Sequence, residues 1–285
     1  MQPPLIFDRK AVKRHRARAT RTQRTIAPIL NAAADILTDR LADITRPFTT
    51  ALDIGGRGVI APLLIKRGIQ VIQCESALPL AKTLSKFSPT LCADEEYLPF
   101  APQSFDLVVA NLSLQWVNDL PGTFAQIRTL LRPDGLFLAS IPILPTLRPL
   151  KQALEMAELA LSDGLSARVC PLPTNTSCAQ LLQRAGFALP VVDTEILPLR
   201  YKSLTGLLQD LRAAGETNAL VHRSKTFTPR MLFPATAAEL SYHSDGTFDM
   251  PLHMAILTAW CPAPTQPQPL KPGQTARQVI CLCLV

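Results

Sequence analysis

The chain has 285 residues, 47% of them hydrophobic, and a formal net charge of +7. That length can bury a substantial core, and one α/β domain with an appended region suits it better than two independent domains. No run approaches the roughly 18 apolar residues of a membrane helix and the first residues lack the apolar core of a secretory signal, so the expectation is a cytoplasmic protein with no transmembrane segment.

The positive charge is local. Eight Lys or Arg residues and no acid lie between Arg9 and Arg24. Removing those eight from the 29 basic residues leaves 21 against 22 acids, so the rest of the molecule is almost neutral. Such an arm suits an acidic protein partner, an anionic lipid, a phosphate-bearing ligand or nucleic acid, and equally a solvated helix face. The seven cysteines (Cys74, Cys92, Cys170, Cys178, Cys261, Cys281 and Cys283) show no CxxC spacing, which predicts reduced thiols and no zinc site.

After the arm, apolar residues at Ile29, Leu30, Ala33, Ile36 and Leu37 predict a helix over 26–41. The stretch from Ala51 to Ala61, ALDIGGRGVIA, reads as a buried strand that ends in a glycine turn and feeds a helix over 59–66. A short strand over 71–74 ends at Glu75, a helix follows over 77–87, and a third strand over 90–93 ends at Asp94. Phe105 to Ala110 is a continuous apolar run of the parallel-sheet kind and ends at Asn111. A helix over 120–131, a turn at Arg132-Pro133-Asp134-Gly135 and a strand over 136–141 complete a regular alternation, which predicts βαβ units and an open sheet. Beyond Pro142 the spacing predicts helices over 150–161, 179–185 and 204–214, and an edge strand within 191–201. Two further helical segments, 232–242 and 255–260, flank a turn at Asp245-Gly246, and a proline-rich tail follows.

In open α/β sheets ligands bind beyond the carboxyl ends of the strands. Those ends carry Asp53 with Gly55, Gly56 and Gly58, then Glu75, Asp94 and Asn111. An acid about 20 residues after the glycine turn can accept hydrogen bonds from ribose hydroxyls, and one a strand further on can accept from an exocyclic amine. Neither GxGxxG nor GK[ST] order is present, so the dinucleotide and P-loop fingerprints are missing. An acid ahead of the glycines repels pyrophosphate but suits a cationic ligand, and S-adenosylmethionine, with its ammonium and sulfonium, meets that description.

The segments ADEEYLPF (93–100), SFDLVVA (104–110), LSLQWVNDL (112–120) and LRPDG (131–135) resemble the class I methyltransferase family. With IFDRKAVKRHRARA (6–19), RAGF (184–187), GETNAL (215–220), the late segments ending at Trp260 and PLKPG (269–273), they look like its branch of methyltransferase-like assembly factors of respiratory complex I, whose mitochondrial member is understood to hydroxylate an arginine of a core subunit. A broader resemblance is to the O-methyltransferases acting on malonyl-acyl carrier protein. The resemblance implies a Rossmann-like class I methyltransferase sheet with helices on both faces, an N-terminal basic helical arm and a C-terminal α+β extension. It divides the chain into arm and N-terminal helix (1–45), S-adenosylmethionine-binding domain (46–200), helical extension (201–262) and proline-rich tail (263–285). It further implies that Asp53, Gly55, Gly56 and Gly58 hold the methionine part of the cofactor, that Glu75 binds the ribose, and that Asp94 and the Glu95 backbone bind the adenine. Asn111 to Trp116 would then line the passage to substrate, with Gln115 and Trp116 as candidate catalytic residues. The turn departs from the family's D-x-G-x-G-x-G by being one residue shorter.

The expected function is methyl transfer to a protein client in complex I assembly, the client being a core subunit gripped by the Arg9–Arg24 arm, with nucleic acid the lesser reading. Alternatives are arginine hydroxylation of such a subunit, a non-catalytic assembly chaperone, and O-methylation of a carboxylate on acyl carrier protein. Hydroxylation normally needs a metal or flavin to activate oxygen. His243-Ser244-Asp245 has the spacing of a facial triad, with His253 downstream, but Asp245-Gly246 reads better as a turn, so no metal ligand is assigned.

Overall fold

The computed structural model describes residues 5–162 and 164–266. The basic stretch forms helix α1 (Arg9–Ala19), started by Asp8, whose carboxylate accepts from the Ala11 N–H. A 3-10 turn (Gln23–Ile26) leads into α2 (Ala27–Ala42). Strand and helix then alternate as β1 (Thr50–Ile54), α3 (Ile60–Lys66), β2 (Gln70–Cys74), α4 (Leu78–Leu84), β3 (Thr90–Leu91), β4 (Phe105–Asn111), α5 (Leu120–Leu130) and β5 (Leu131–Pro142). The C-terminal half adds α6 (Arg148–Leu161), α7 (Asn175–Arg184), β6 (Ala188–Leu197), β7 (Arg200–Tyr201), α8 (Leu204–Ala214), α9 (Leu232–Ala238), β8 (Phe248–Asp249) and β9 (Leu252–Trp260).

Seven strands form one sheet in the order β3-β2-β1-β4-β5-β9-β6, and β7 pairs with β8 apart from it. β1 to β5 run parallel, whereas β9 lies antiparallel between β5 and β6. The strand order reverses at β1, so the chains leaving β1 and β4 diverge and open the crevice where such sheets bind ligands. Leu30 and Leu37 of α2 with Ile60 and Leu64 of α3 bury one face of the sheet. Phe124 and Ile127 of α5 with Cys178 and Leu182 of α7 bury the other. A third cluster joins α6, α8 and α9 through Leu150, Leu154, Leu207 and Leu232, together with Phe248 and Met250.

The alternation expected over 50–141 is present, and β6 is an edge strand, antiparallel to its neighbour β9. The expected helical extension over 201–262 is corrected: it holds α8 and α9 but ends in β9, which fills the sheet between β5 and β6. The reason is burial. Met254, Ala255, Ile256, Leu257 and Ala259 are all fully buried, and a strand covered on both faces shows no alternation to tell it from a buried helix. The tail from residue 267, with the PLKPG motif and Cys281 and Cys283, lies outside the described residues.

Candidate functional site

The chain turns immediately after β1. Gly55 takes a φ of +61°, and its N–H donates to the Cys74 carbonyl at 2.8 Å, tying the turn to the end of β2. A Cβ on Gly55 would lie 2.8 Å from both Arg16 Nη2 and Ser113 Cβ, and one on Gly56 would lie 2.0 Å from Asp53 Oδ1. Side chains are therefore excluded on both sides of the turn. Arg57 also holds a positive φ, +56°, a conformation that costs an L-residue about 1–2 kcal/mol. Its guanidinium offsets this by donating from Nη2 to the Leu112 carbonyl and to Glu216 Oε1, both at 3.0 Å.

Four acids converge beside the turn. Asp53 is buried, and neither of its carboxylate oxygens has a hydrogen-bond partner of ordinary geometry among the described residues. Burial, then the nearby charge of Glu75, raises its pKa to about 7; the backbone of Ala61 and Gly56 and the Arg16 charge oppose the rise without cancelling it. Glu75 is fully buried; its Oε1 accepts from the Ala77 N–H at 3.0 Å and its Oε2 has no partner. Asp94 and Glu95 lie in the loop after β3, close to the same cradle.

Helix α1 lies across these acids. Arg9 donates to Asp94 Oδ1 at 2.5 Å, to Glu95, and to the Trp116 carbonyl at 2.8 Å. Lys13 Nζ stands 3.0 Å from Asp94 Oδ2. Arg16, buried, donates to Glu95 and to the Gly55 carbonyl and pairs with Glu75. The helix is anchored by Phe7, Ala11 and Val12, which pack with Trp116, Ala219 and Leu220. The expectation that the whole Arg9–Arg24 arm faces a client is thus corrected. Arg9, Lys13 and Arg16 turn inward onto the acids, and Lys10, Arg14, Arg18, Arg21 and Arg24 face out. Spacing alone does not mark the split: Arg9, Lys13 and Arg16 fall at i, i+4 and i+7 on one face, but so do Arg14, Arg18 and Arg21 on another.

The predicted passage residues divide. Asn111 is buried, donates from Nδ2 to the Leu30 carbonyl and accepts from Ser140, so its side chain ties α2 to the sheet and faces no passage. Gln115 and Trp116 both donate to Glu216, at 2.7 and 2.5 Å. Phe7 packs edge-to-face on the Trp116 ring at 5.2 Å. Glu216 therefore collects the glycine turn, through Arg57, and the chain after β4 on one carboxylate. Its partners lie 100 or more residues away, so no spacing in its neighbourhood discloses these contacts; the sequence signal for it is the GETNAL segment (215–220) that contains it. A cavity of about 380 Å³ starts from Arg57, Leu112, Gln115 and Trp116 and continues along apolar residues of α6 and α8 such as Leu150 and Leu207.

The H-x-D motif is a turn. Asp245 accepts from the Thr247 N–H and hydroxyl, and His243 Nε2 pairs with Asp249 Oδ2 at 3.0 Å. Among the described residues no group of three His, Cys, Asp or Glu side chains could hold a metal ion, and no helix is long and apolar enough to cross a membrane.

A parallel sheet with one antiparallel strand next to its edge, a glycine turn after β1 and acids after β2 and β3 define a class, and residues 52–139 match the family model described as a methyltransferase domain. The chain belongs to the class I S-adenosylmethionine-dependent methyltransferase family. It is 35% identical over 244 residues to the human mitochondrial arginine-hydroxylase NDUFAF5, covering 83% of this chain and 71% of that protein. It is also 33% identical over 275 residues to the malonyl-[acyl-carrier protein] O-methyltransferase of Xylella fastidiosa, covering 90% and 89%. Among solved structures, the YcgJ protein of Bacillus subtilis shares the fold with a TM-score of 0.57 at 14% identity, over 80% of this chain and 98% of that one. The cofactor of this class is S-adenosylmethionine, and the leftover acceptors fit it. Asp53 suits its ammonium and Glu75 Oε2 a ribose hydroxyl.

Proposed function

We propose that the protein is an S-adenosylmethionine-dependent methyltransferase acting on a protein client in respiratory complex I assembly. The observation that carries the reading is the cavity that starts at the cofactor turn, at Arg57, and opens between apolar side chains of α6 and α8. A volume of about 380 Å³ admits an extended side chain or tethered group, and its apolar walls keep water from the reacting atoms. When bound, S-adenosylmethionine supplies an electrophilic methyl group. The protein's own part is positioning: Asp53 and Glu75 fix the cofactor, while Glu216 holds Gln115 and Trp116 at the mouth of the acceptor channel. The outward cations Lys10, Arg14, Arg18, Arg21 and Arg24 supply a face for an acidic client.

A second reading, hydroxylation of a client arginine, is favoured by the likeness to the human arginine-hydroxylase. Mass spectrometry of complex I core subunits from wild-type and deletion strains separates the two. Methyl transfer predicts loss of a methyl increment in the deletion strain. Loss of an oxygen increment from an arginine, with methyl marks intact, would replace this reading by the second.

A further inference from the structure

The inner cations of α1 and the acids beside the glycine turn neutralise one another, and the fit is closest at Arg16. Its side chain is 5% exposed. Nη2 donates to the Gly55 carbonyl at 3.0 Å, Nη1 reaches Glu95 and, at 3.4 Å, Ser76 Oγ, and Nε stands 3.7 Å from Glu75 Oε1. Gly55 and Glu75 are the turn and the acid that serve the cofactor. A methyl on Gly55 would already come within 2.8 Å of Arg16 Nη2, so the guanidinium lies flat against the turn and leaves no room there for another group. In keeping with this, the cavity lining includes Arg57 but neither Gly55 nor Glu75.

The cradle is incompletely satisfied in this arrangement. Arg16 Nε, Glu75 Oε2 and both oxygens of Asp53 are buried without a hydrogen-bond partner of ordinary geometry among the described residues. A permanent buried ion cluster normally satisfies its members, because each group left over keeps its desolvation cost uncompensated. Three of the four leftovers, Glu75 Oε2 and the two Asp53 oxygens, are acceptors beside the turn, where the cofactor brings an ammonium and two ribose hydroxyls; the fourth, Arg16 Nε, is a donor.

We propose that Arg16 is an internal stand-in for the cofactor: α1 closes the cradle by seating this guanidinium on Gly55, Glu75 and Glu95, and S-adenosylmethionine binds by displacing it. The inference rests on the cofactor reading above. The exchange replaces one net positive charge by another: the cofactor's ammonium comes to Asp53, while its ribose hydroxyls donate to Glu75 in place of the guanidinium. The apparent dissociation constant is then the intrinsic one divided by the fraction of molecules in which Arg16 has left its seat. By linkage, a client that draws α1 outward through Lys10, Arg14 and Arg18 raises cofactor affinity, and cofactor raises client affinity equally.

Titration calorimetry with S-adenosylmethionine on the wild type, Arg16→Ala and Arg16→Gln tests this, the Gln variant retaining a neutral donor for Glu95 should the Ala variant not fold. The exchange predicts cofactor binding at least about tenfold tighter in the variants. Unchanged or weaker binding in a folded variant overturns it and leaves the cofactor reading intact. No binding in any of the proteins overturns both. A second readout uses the wild type alone. The arginine Nε–H resonance that vanishes in Arg16→Gln should be protected from water exchange in the free protein and lose that protection at saturating S-adenosylmethionine. Protection retained in the saturated protein overturns the exchange.

Discussion

Asp53 shows most directly how burial is turned to use. Its carboxyl is held to about pH 7 by burial and by the charge of Glu75, against an ordinary value of 3.8. A carboxylate whose folded pKa is raised contributes most to stability while protonated, so its contribution declines as pH rises from about 4 to about 7. An ammonium ligand wants the ionised form, so the sign reverses for binding. S-adenosylmethionine affinity should strengthen by up to about tenfold per unit as pH rises towards 7, level off near neutrality, and fall again above about pH 8 as the ligand's own amine loses its proton. Calorimetry between pH 5.5 and 8.5 checks this, and Asp53→Asn should flatten the slope and weaken binding at pH 8. A wild-type affinity independent of pH would remove Asp53 from the ammonium's site. Glu216 carries the opposite lesson: its carboxylate joins Arg57, Gln115 and Trp116 over long sequence separations, and the GETNAL segment that holds it says nothing of those partners.

At the scale of elements, β9 and α1 each do something other than their composition suggests. β9 pairs with β5 over seven positions, Leu136 to Pro142, and with β6 along its other edge, so it completes the sheet. Ile256 lies at its centre and is fully buried. Ile256→Ala should therefore cost about 2–5 kcal/mol and lower one cooperative unfolding transition of the whole chain. A separate low-temperature transition with the main one unmoved would show instead that β9 frays independently. α1 is basic around much of its circumference, yet only one stripe of it meets acids: Arg9, Lys13 and Arg16 face the cradle, held there by Phe7, Ala11 and Val12 in their apolar cluster.

For the whole molecule, the net charge of +7 is carried by that one helix and its continuation, and the fold divides it between an inward and an outward face. Deleting residues 9–24 would strip counter-ions from Glu75, Asp94 and Glu95 as well as remove the outer face, and so would disturb both sites at once. The outer face is tested more cleanly by Arg14→Glu, Arg18→Glu and Arg21→Glu together. Binding to a purified complex I core subunit should weaken tenfold or more and lose most of its salt sensitivity, while cofactor titration without client stays unchanged. Client binding that survives the three reversals at low salt would place the grip elsewhere.

By itself the sequence determined the alternating α/β order, the glycine turn and the acids at the strand ends. Each of these is written in a local period or a breaker residue, as in ALDIGGRG and FDLVVA. It also determined the family, through motifs spread along most of the chain. Tertiary structure decided what no local window holds. β9 became a strand because its neighbours cover both its faces, and Asn111 became a tie to α2 because Leu30 and Ser140 engage both ends of its amide. The basic arm became a strap because Glu75, Asp94, Glu95 and Glu96, some 60 to 90 residues further along the chain, supply the counter-charges its inner face meets at close range. Burial and pairing across the chain set those outcomes, since a charge or an apolar run takes its role from what is packed against it.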